Sequence, residues 1–305
     1  METHAITLPA SHYRALEKIV TALIGKWDTQ YIICFGSVEE CRTTTSCFGG
    51  SSNGNNAVRY YLLMITTENH RMEHQVQDFI NTHHPEVNVT IAVHGLESVT
   101  HAVNQGSRFY ATACQYGMQL YSKSGLRLDL NYHSINPVTK VTKAEKNYHH
   151  YYEMALGFWQ GAENSFETGY YAVCVFMLHQ AVEQACKALI RVFTAYQCDM
   201  HNISRLLDHC ALFSDKLAYA LPRRTDEDKR LFALLRDGYS ETRYNVNYVV
   251  KDADADTLLT RVKELLNVTE ELGLAKIVQY QNDADQAAPV INIASGINNP
   301  LPYAG

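Results

Sequence analysis

At 305 residues the chain can bury one large core or two ordinary ones, and two is the expectation. Its 46 % hydrophobic and 19 % charged content is that of a globular protein. A formal charge of −6 argues against a broad nucleic-acid-binding face but leaves room for a local basic patch. Eight cysteines without a Cys-x-x-Cys pair, several in apolar stretches, read as reduced thiols packed as small hydrophobes. The opening "METHAITLPASHYRALEKIV" lacks the basic-then-apolar order of a signal peptide. No uninterrupted apolar run reaches the ~18 residues of a membrane span, so a cytoplasmic location is expected.

The first 130 residues alternate between helical and extended patterns. Ser11 is placed to cap a helix carrying Leu16, Ile19, Val20, Leu23 and Ile24 on one face. "YIICF" (31–35) suits a buried strand, and Gly36-Ser37 is expected to end it in a turn. Residues 39–57, rich in Gly, Ser, Thr and Asn, form a long polar loop of a kind that is functional or flexible. "VRYYLLMIT" (58–66) resumes strand character, and Thr67 is placed to cap a helix "ENHRMEHQVQDFINTHH". "VNVTIAV" (87–93) and "MQLYS" (118–122) add two strands, so residues 1–130 are expected to form a small mixed sheet with helices.

From about residue 140 the period becomes helical. "KAEKNYHHYYEMALGFWQGAEN" is one helix, and "ETGYYAVCVFMLHQAVEQACKALIRVFTAYQ" is a second with an apolar stripe from Val175 to Val192. "HNISRLLDHCALF", "DEDKRLFALLRDGYSETRY" and "ADTLLTRVKELLNVTEELGLAKIV" supply three more. Short connections favour antiparallel neighbours, so residues 140–275 read as an up-and-down bundle, giving an α+β chain overall. Residues 276–305 show no helical period and are expected to be an extended or disordered tail.

Three motifs in the second half occur together: "QAVEQACKALI" (180–190), "MHNISRLL" (200–207) and "YSETRY" (239–244). Their order and approximate spacing resemble the HEPN helical domain over residues 140–275. HEPN domains often follow a minimal nucleotidyltransferase domain, and the first half is similar to that family too. "CFGS" (34–37) matches its strand-end Gly-Ser, "RYYLLMI" lies where its Asp-x-Asp strand would lie, and "QYGMQLYS" resembles its closing segment.

Nucleotidyl transfer needs a pair of metal ions held by carboxylates, and a Gly-Ser turn whose N–H groups cradle phosphate. Gly36 and Ser37 stand at the turn, but Arg59 and Tyr61 occupy the two aspartate positions and Asn88 a third. Neither Arg nor Tyr replaces a hard oxygen ligand of magnesium. A shifted alignment would bring in Glu39, Glu40 or Glu86, none at Asp-x-Asp spacing. HEPN ribonucleases use Arg-x(4–6)-His, in which the imidazole moves a proton and the arginine stabilises phosphate charge. No histidine follows His209; Arg243 meets Tyr248, and Arg236 meets Glu241, Thr242 and Arg243.

What the resemblance then implies is a binding surface. Arg236 and Arg243 lie two helical turns apart on one face, with Tyr244, Tyr248, Lys187 and His201 beside them. The competing structural reading pairs Arg243 with a bundle carboxylate such as Glu183 and packs Tyr244 in the core. "HRMEH" (70–74) satisfies His-x-x-Glu-His, but a solvated helix face accounts for it better than a zinc peptidase. The expectation is a HEPN-type protein that binds nucleotide or RNA phosphate, with a degenerate nucleotidyltransferase-like domain. It is expected to dimerise through the bundle, with no cofactor, no metal and no membrane. The alternatives are an active magnesium-dependent nucleotidyltransferase modifying a small molecule or protein, as aminoglycoside nucleotidyltransferases do on this architecture, and a toxin-like ribonuclease.

Overall fold

The computed structural model describes residues 5–6, 8–40, 43–46, 57–130, 132 and 136–287. In the first half, α1 (Ala10–Lys26) precedes β1 (Thr29–Glu40), β2 (Thr43–Ser46) and β3 (Ala57–Thr66). Then come α2 (Glu73–His83), β4 (Asn88–Gly95), α3 (Leu96–Asn104), α4 (Arg108–Tyr116) and β5 (Met118–Ser122). The strands form one five-stranded sheet in the order β2-β1-β3-β4, with β5 also on β1. The β3–β4 pair is parallel; the pairs of β1 with β2, β3 and β5 are antiparallel.

β3 is a nearly unbroken apolar run because both faces of the sheet are covered; Tyr60 to Ile65 are all buried. The two-residue strand period turns Tyr60 toward α1, where its ring meets His12 at 5.7 Å. It turns Arg59 and Tyr61 the other way, toward the helical half. The free edge of β4 is blunted by Gln77 of α2, which donates to Val89 O (2.8 Å) and accepts from Ile91 N (3.1 Å).

The second half consists of α5 (Pro137–Glu167), α6 (Tyr171–Thr194), α7 (Ile203–Cys210), α8 (Lys216–Ala220), α9 (Asp226–Tyr244) and α10 (Asp252–Ala287). Asn136 starts α5 by accepting from Val138 N and Thr139 N, with Pro137 at the first helical position. Thr225 and Asp228 form a reciprocal capping box at the start of α9. α6 is the central helix, packed by α5, α9 and α10, and ends at Ala195 in a left-handed conformation (φ 62°). It is long and apolar enough to cross a membrane by length and composition, but 72 % of its apolar 18-residue window is buried inside the protein. Its apolarity is that of a core helix. Six cysteines among the described residues are free and buried.

Several sequence expectations change here. Gly36-Ser37 is not a turn: β1 continues to Glu40, with a bulge between Cys34 and Gly36. Residues 57–66 offer a partner strand long enough to carry β1 past the glycine. α1 starts after Pro9 with no side-chain cap, so Ser11 lies inside the helix. α2 starts at Glu73, after Met72 rather than Thr67. The stretch 276–287 is helical, continuing α10, because Ile277 and Tyr280 pack into the bundle; residues 288–305 lie outside the described residues. Helices α3, α4 and α8 were not anticipated from the sequence.

Candidate functional site

The nucleotidyltransferase-like positions lie where the two halves meet. Arg59 pairs with Asp208 of α7 at 3.1 Å, and Arg223 reaches the same carboxylate at 3.5 Å. The Tyr61 hydroxyl donates to the Asp208 carbonyl at 2.6 Å. Burial of Tyr61 pushes its phenol pKa far up, so this donor keeps its proton. A Cβ at Gly36 would overlap Leu212 Cδ1 and touch the Tyr61 side chain. Ser37 is buried and flanked by β2 and β3. α7 and the segment after it pack against this face of the sheet, through Asp208 and Leu212.

The donor set there does not fit a magnesium pair. Asp208 is engaged by two arginines. Glu39 faces His12 at 3.9 Å, and Glu86, on the turn before β4, faces His84 at 3.7 Å. Glu40 has no described side chain. His70 lies before α2, 2.9 Å from Glu68, while His74 on α2 contacts Arg205 at 2.9 Å. The two histidines of "HRMEH" therefore do not share a helix face.

The HEPN-like positions gather on α6 and α9. His179, Glu183 and Lys187 recur every four residues along one face of α6, while Arg236, Tyr239 and Arg243 share a face of α9. Glu183 is 2 % exposed. Its Oε1 accepts from Lys187 Nζ at 2.8 Å and from His201 Nδ1 at 3.0 Å, while its Oε2 has no described partner. That bond fixes the His201 tautomer and leaves Nε2 as the outer nitrogen of a half-exposed ring. His179 Nδ1 donates to the Leu235 carbonyl at 3.1 Å, and burial lowers its pKa, so it stands neutral.

Tyr239 is the hub. His179 stacks on it at 5.1 Å and His201 at 6.0 Å. The Arg243 guanidinium lies 4.1 Å from its ring centroid and donates from Nε to the Tyr239 carbonyl at 2.7 Å. Phe176 and Tyr244 stand 5.8 and 5.0 Å from the same guanidinium. Among the described residues Arg243 forms no ion pair. The pairing of Arg243 with Glu183 is thus corrected: Lys187 and His201 hold that carboxylate. Packing of Tyr244 in the core is corrected as well, since Tyr244 is 77 % exposed.

Three predicted residues are less available than the sequence implied. Arg236 is tied to its neighbour Asp237 by two bonds of 2.6 and 2.9 Å. The Tyr248 hydroxyl donates to the Leu234 carbonyl at 2.9 Å, and burial raises its pKa, so it clamps the α9 backbone. Lys187 is spent on Glu183. Tyr239 and His179 were missed, although Tyr239 opens the quoted "YSETRY" and lies four residues before Arg243, a spacing that puts both on one helix face.

The family model of the HEPN domain matches residues 148–272. No curated protein matches the chain. Among solved structures, the chain is similar to a nucleotidyltransferase-like protein from Exiguobacterium sibiricum 255-15, at 12 % identity. That likeness covers 91 % of this chain and 81 % of the other, with a TM-score of 0.28. Residues 148–272, from within α5 to within α10, are a HEPN domain.

Proposed function

We propose that the HEPN domain binds the phosphate of a nucleotide or RNA at the Arg243 face, and that the first half contributes a scaffold rather than a transferase centre. The observation that carries this reading is the Arg243 guanidinium. It is charged, spread over an aromatic ring, unpaired among the described residues and exposed, an arrangement suited to phosphate and to stacking bases. Tyr244 offers an exposed ring beside it. The engagement of Arg59, Tyr61 and Gly36 with α7 and Leu212 supports a scaffold role for the first half.

His201 favours a second reading. Oriented by Glu183 and stacked near Arg243's own partner ring, it offers an imidazole where α9 has none, as a ribonuclease would need. Fluorescence polarisation with labelled RNA and nucleotide tests the binding reading: Arg243→Ala should weaken binding about tenfold or more, and unchanged affinity would sink it. RNA cleaved by the native chain but not by His201→Ala would establish the second reading. Dimerisation through the bundle belongs to the same proposal, and light scattering of the purified protein measures it directly.

A further inference from the structure

At the junction of the two halves a cavity of about 330 Å³ opens between the α3–α4 turn, the first turns of α5 and the end of α6. Arg108, Lys140, Lys143 and Arg191 line it, with Ser107 and Asn147 among the polar neighbours, and no carboxylate is among its described lining residues. Both α4 and α5 begin at its rim, which adds the positive ends of two helix dipoles to the four cations.

The structure assigns structural partners to only part of this charge. Arg108 donates to the Val192 and Phe193 carbonyls at 2.8 and 3.0 Å and to the Tyr280 hydroxyl at 3.0 Å, which fixes it in place. Lys140 lies over the Tyr280 ring at 3.8 Å and 3.9 Å from Asp283. Lys143 and Arg191 form no ion pair among the described residues, and the Arg191 guanidinium lies 6.0 Å from the Tyr151 ring centroid. Behind the cavity Lys276 is 4 % exposed. Burial, together with the charges of Lys140 and Arg108, pushes its ammonium pKa down to about 8. Like charges crowded beside a concave surface repel one another and raise the local concentration of anions.

We propose that this cavity is a phosphate site, separate from the Arg243 face, that takes a linear di- or triphosphate group. Its volume lies at the low end of small-molecule pockets, roughly 300–1,000 Å³. No aromatic ring is among its described lining residues, which therefore offer no platform for a base, and its donors suit phosphate oxygens. The group is either an inorganic polyphosphate or the tail of a nucleotide whose base stays outside.

Calorimetric titration of the full chain with tripolyphosphate, diphosphate, ATP and adenosine, at fixed ionic strength, tests this. Saturable binding of tripolyphosphate is expected, with none of adenosine. The double variant Lys143→Ala/Arg191→Gln should weaken it at least about tenfold, and by the same factor in an Arg243→Ala background, in which the Arg243 face no longer contributes to the titration. Equal affinity for tripolyphosphate and ATP identifies the inorganic group as sufficient; tighter ATP binding identifies a nucleotide tail. Lys143 is exposed, so Lys143→Ala alone serves as a folded check if the double variant is unstable. No saturable binding, or binding indifferent to both pocket variants, overturns the proposal. Loss of all saturable binding in Arg243→Ala alone would overturn it while supporting the Arg243 face.

Discussion

Glu183 holds Lys187 and His201 from a position closed to solvent, and this makes one carboxylate the acceptor for two side-chain donors. Removing it strands Lys187, itself only 12 % exposed, and frees the His201 ring. Glu183→Ala is therefore expected to lower stability by about 3 kcal/mol in urea denaturation, the cost of breaking a buried pair from one side. Glu183→Gln keeps an acceptor and should cost less. Arg243 is the opposite case: its guanidinium rests on an exposed ring, so Arg243→Ala should change ligand affinity with little effect on the denaturation midpoint.

Among the elements, the crossing of α5 and α10 depends on Gly273. A Cβ there would overlap the ring of Tyr148, which is 2 % exposed and stacked on Tyr152 at 5.1 Å. Gly273→Ala gains up to about 1 kcal/mol of helix propensity. It also forces a rigid aromatic pair apart in a closed core, at roughly 1–3 kcal/mol. A net loss of stability is expected, read as a lower thermal midpoint, whereas a rise would show that the helices separate freely. The same close approach explains why α10 extends to Ala287: Tyr280 is drawn into the bundle and donates to the Val192 carbonyl at 3.1 Å.

Over the whole molecule, the two halves share one hydrophobic core, and their contact is tied by buried polar groups that respond to acid. His94 contacts the Tyr196 hydroxyl across the junction at 3.1 Å, and His209 lies between the rings of Tyr61 and Tyr196, at 6.3 and 5.8 Å. Burial, aided at His209 by Arg59 and Arg205, pushes both imidazoles down to about 4, against an ordinary 6.5. Depressed histidines bind fewer protons in the folded state than in the unfolded one. Stability is thus unaffected above pH 6.5 and falls as pH drops from 6.5 toward 4, by an order of 3 kcal/mol for each. Equilibrium unfolding at pH 7 and pH 4.5 checks this. His209→Gln should flatten the difference, and an unchanged slope would place the acid response elsewhere.

The types of the long, strongly patterned elements were readable from the sequence alone, whereas β2, α3, α4 and α8 were not. A run such as "YYLLMI" buries both faces wherever it sits, and the apolar stripe of α6 marks a core helix by its spacing. The Arg243–Tyr244 pair and the presence of Arg59 and Tyr61 in β3 were likewise legible, because residue identity decides what a side chain can donate or hold. The tertiary structure decided the rest. Whether Gly36 forms a turn or a bulge depended on the length of the strand beside it. Glu183's partners depended on a loop that returns His201 to α6. The cavity cations come from residues 108, 140, 143 and 191, so no sequence window could show their convergence: electrostatic fields add through space, and the order of residues along the chain does not enter them.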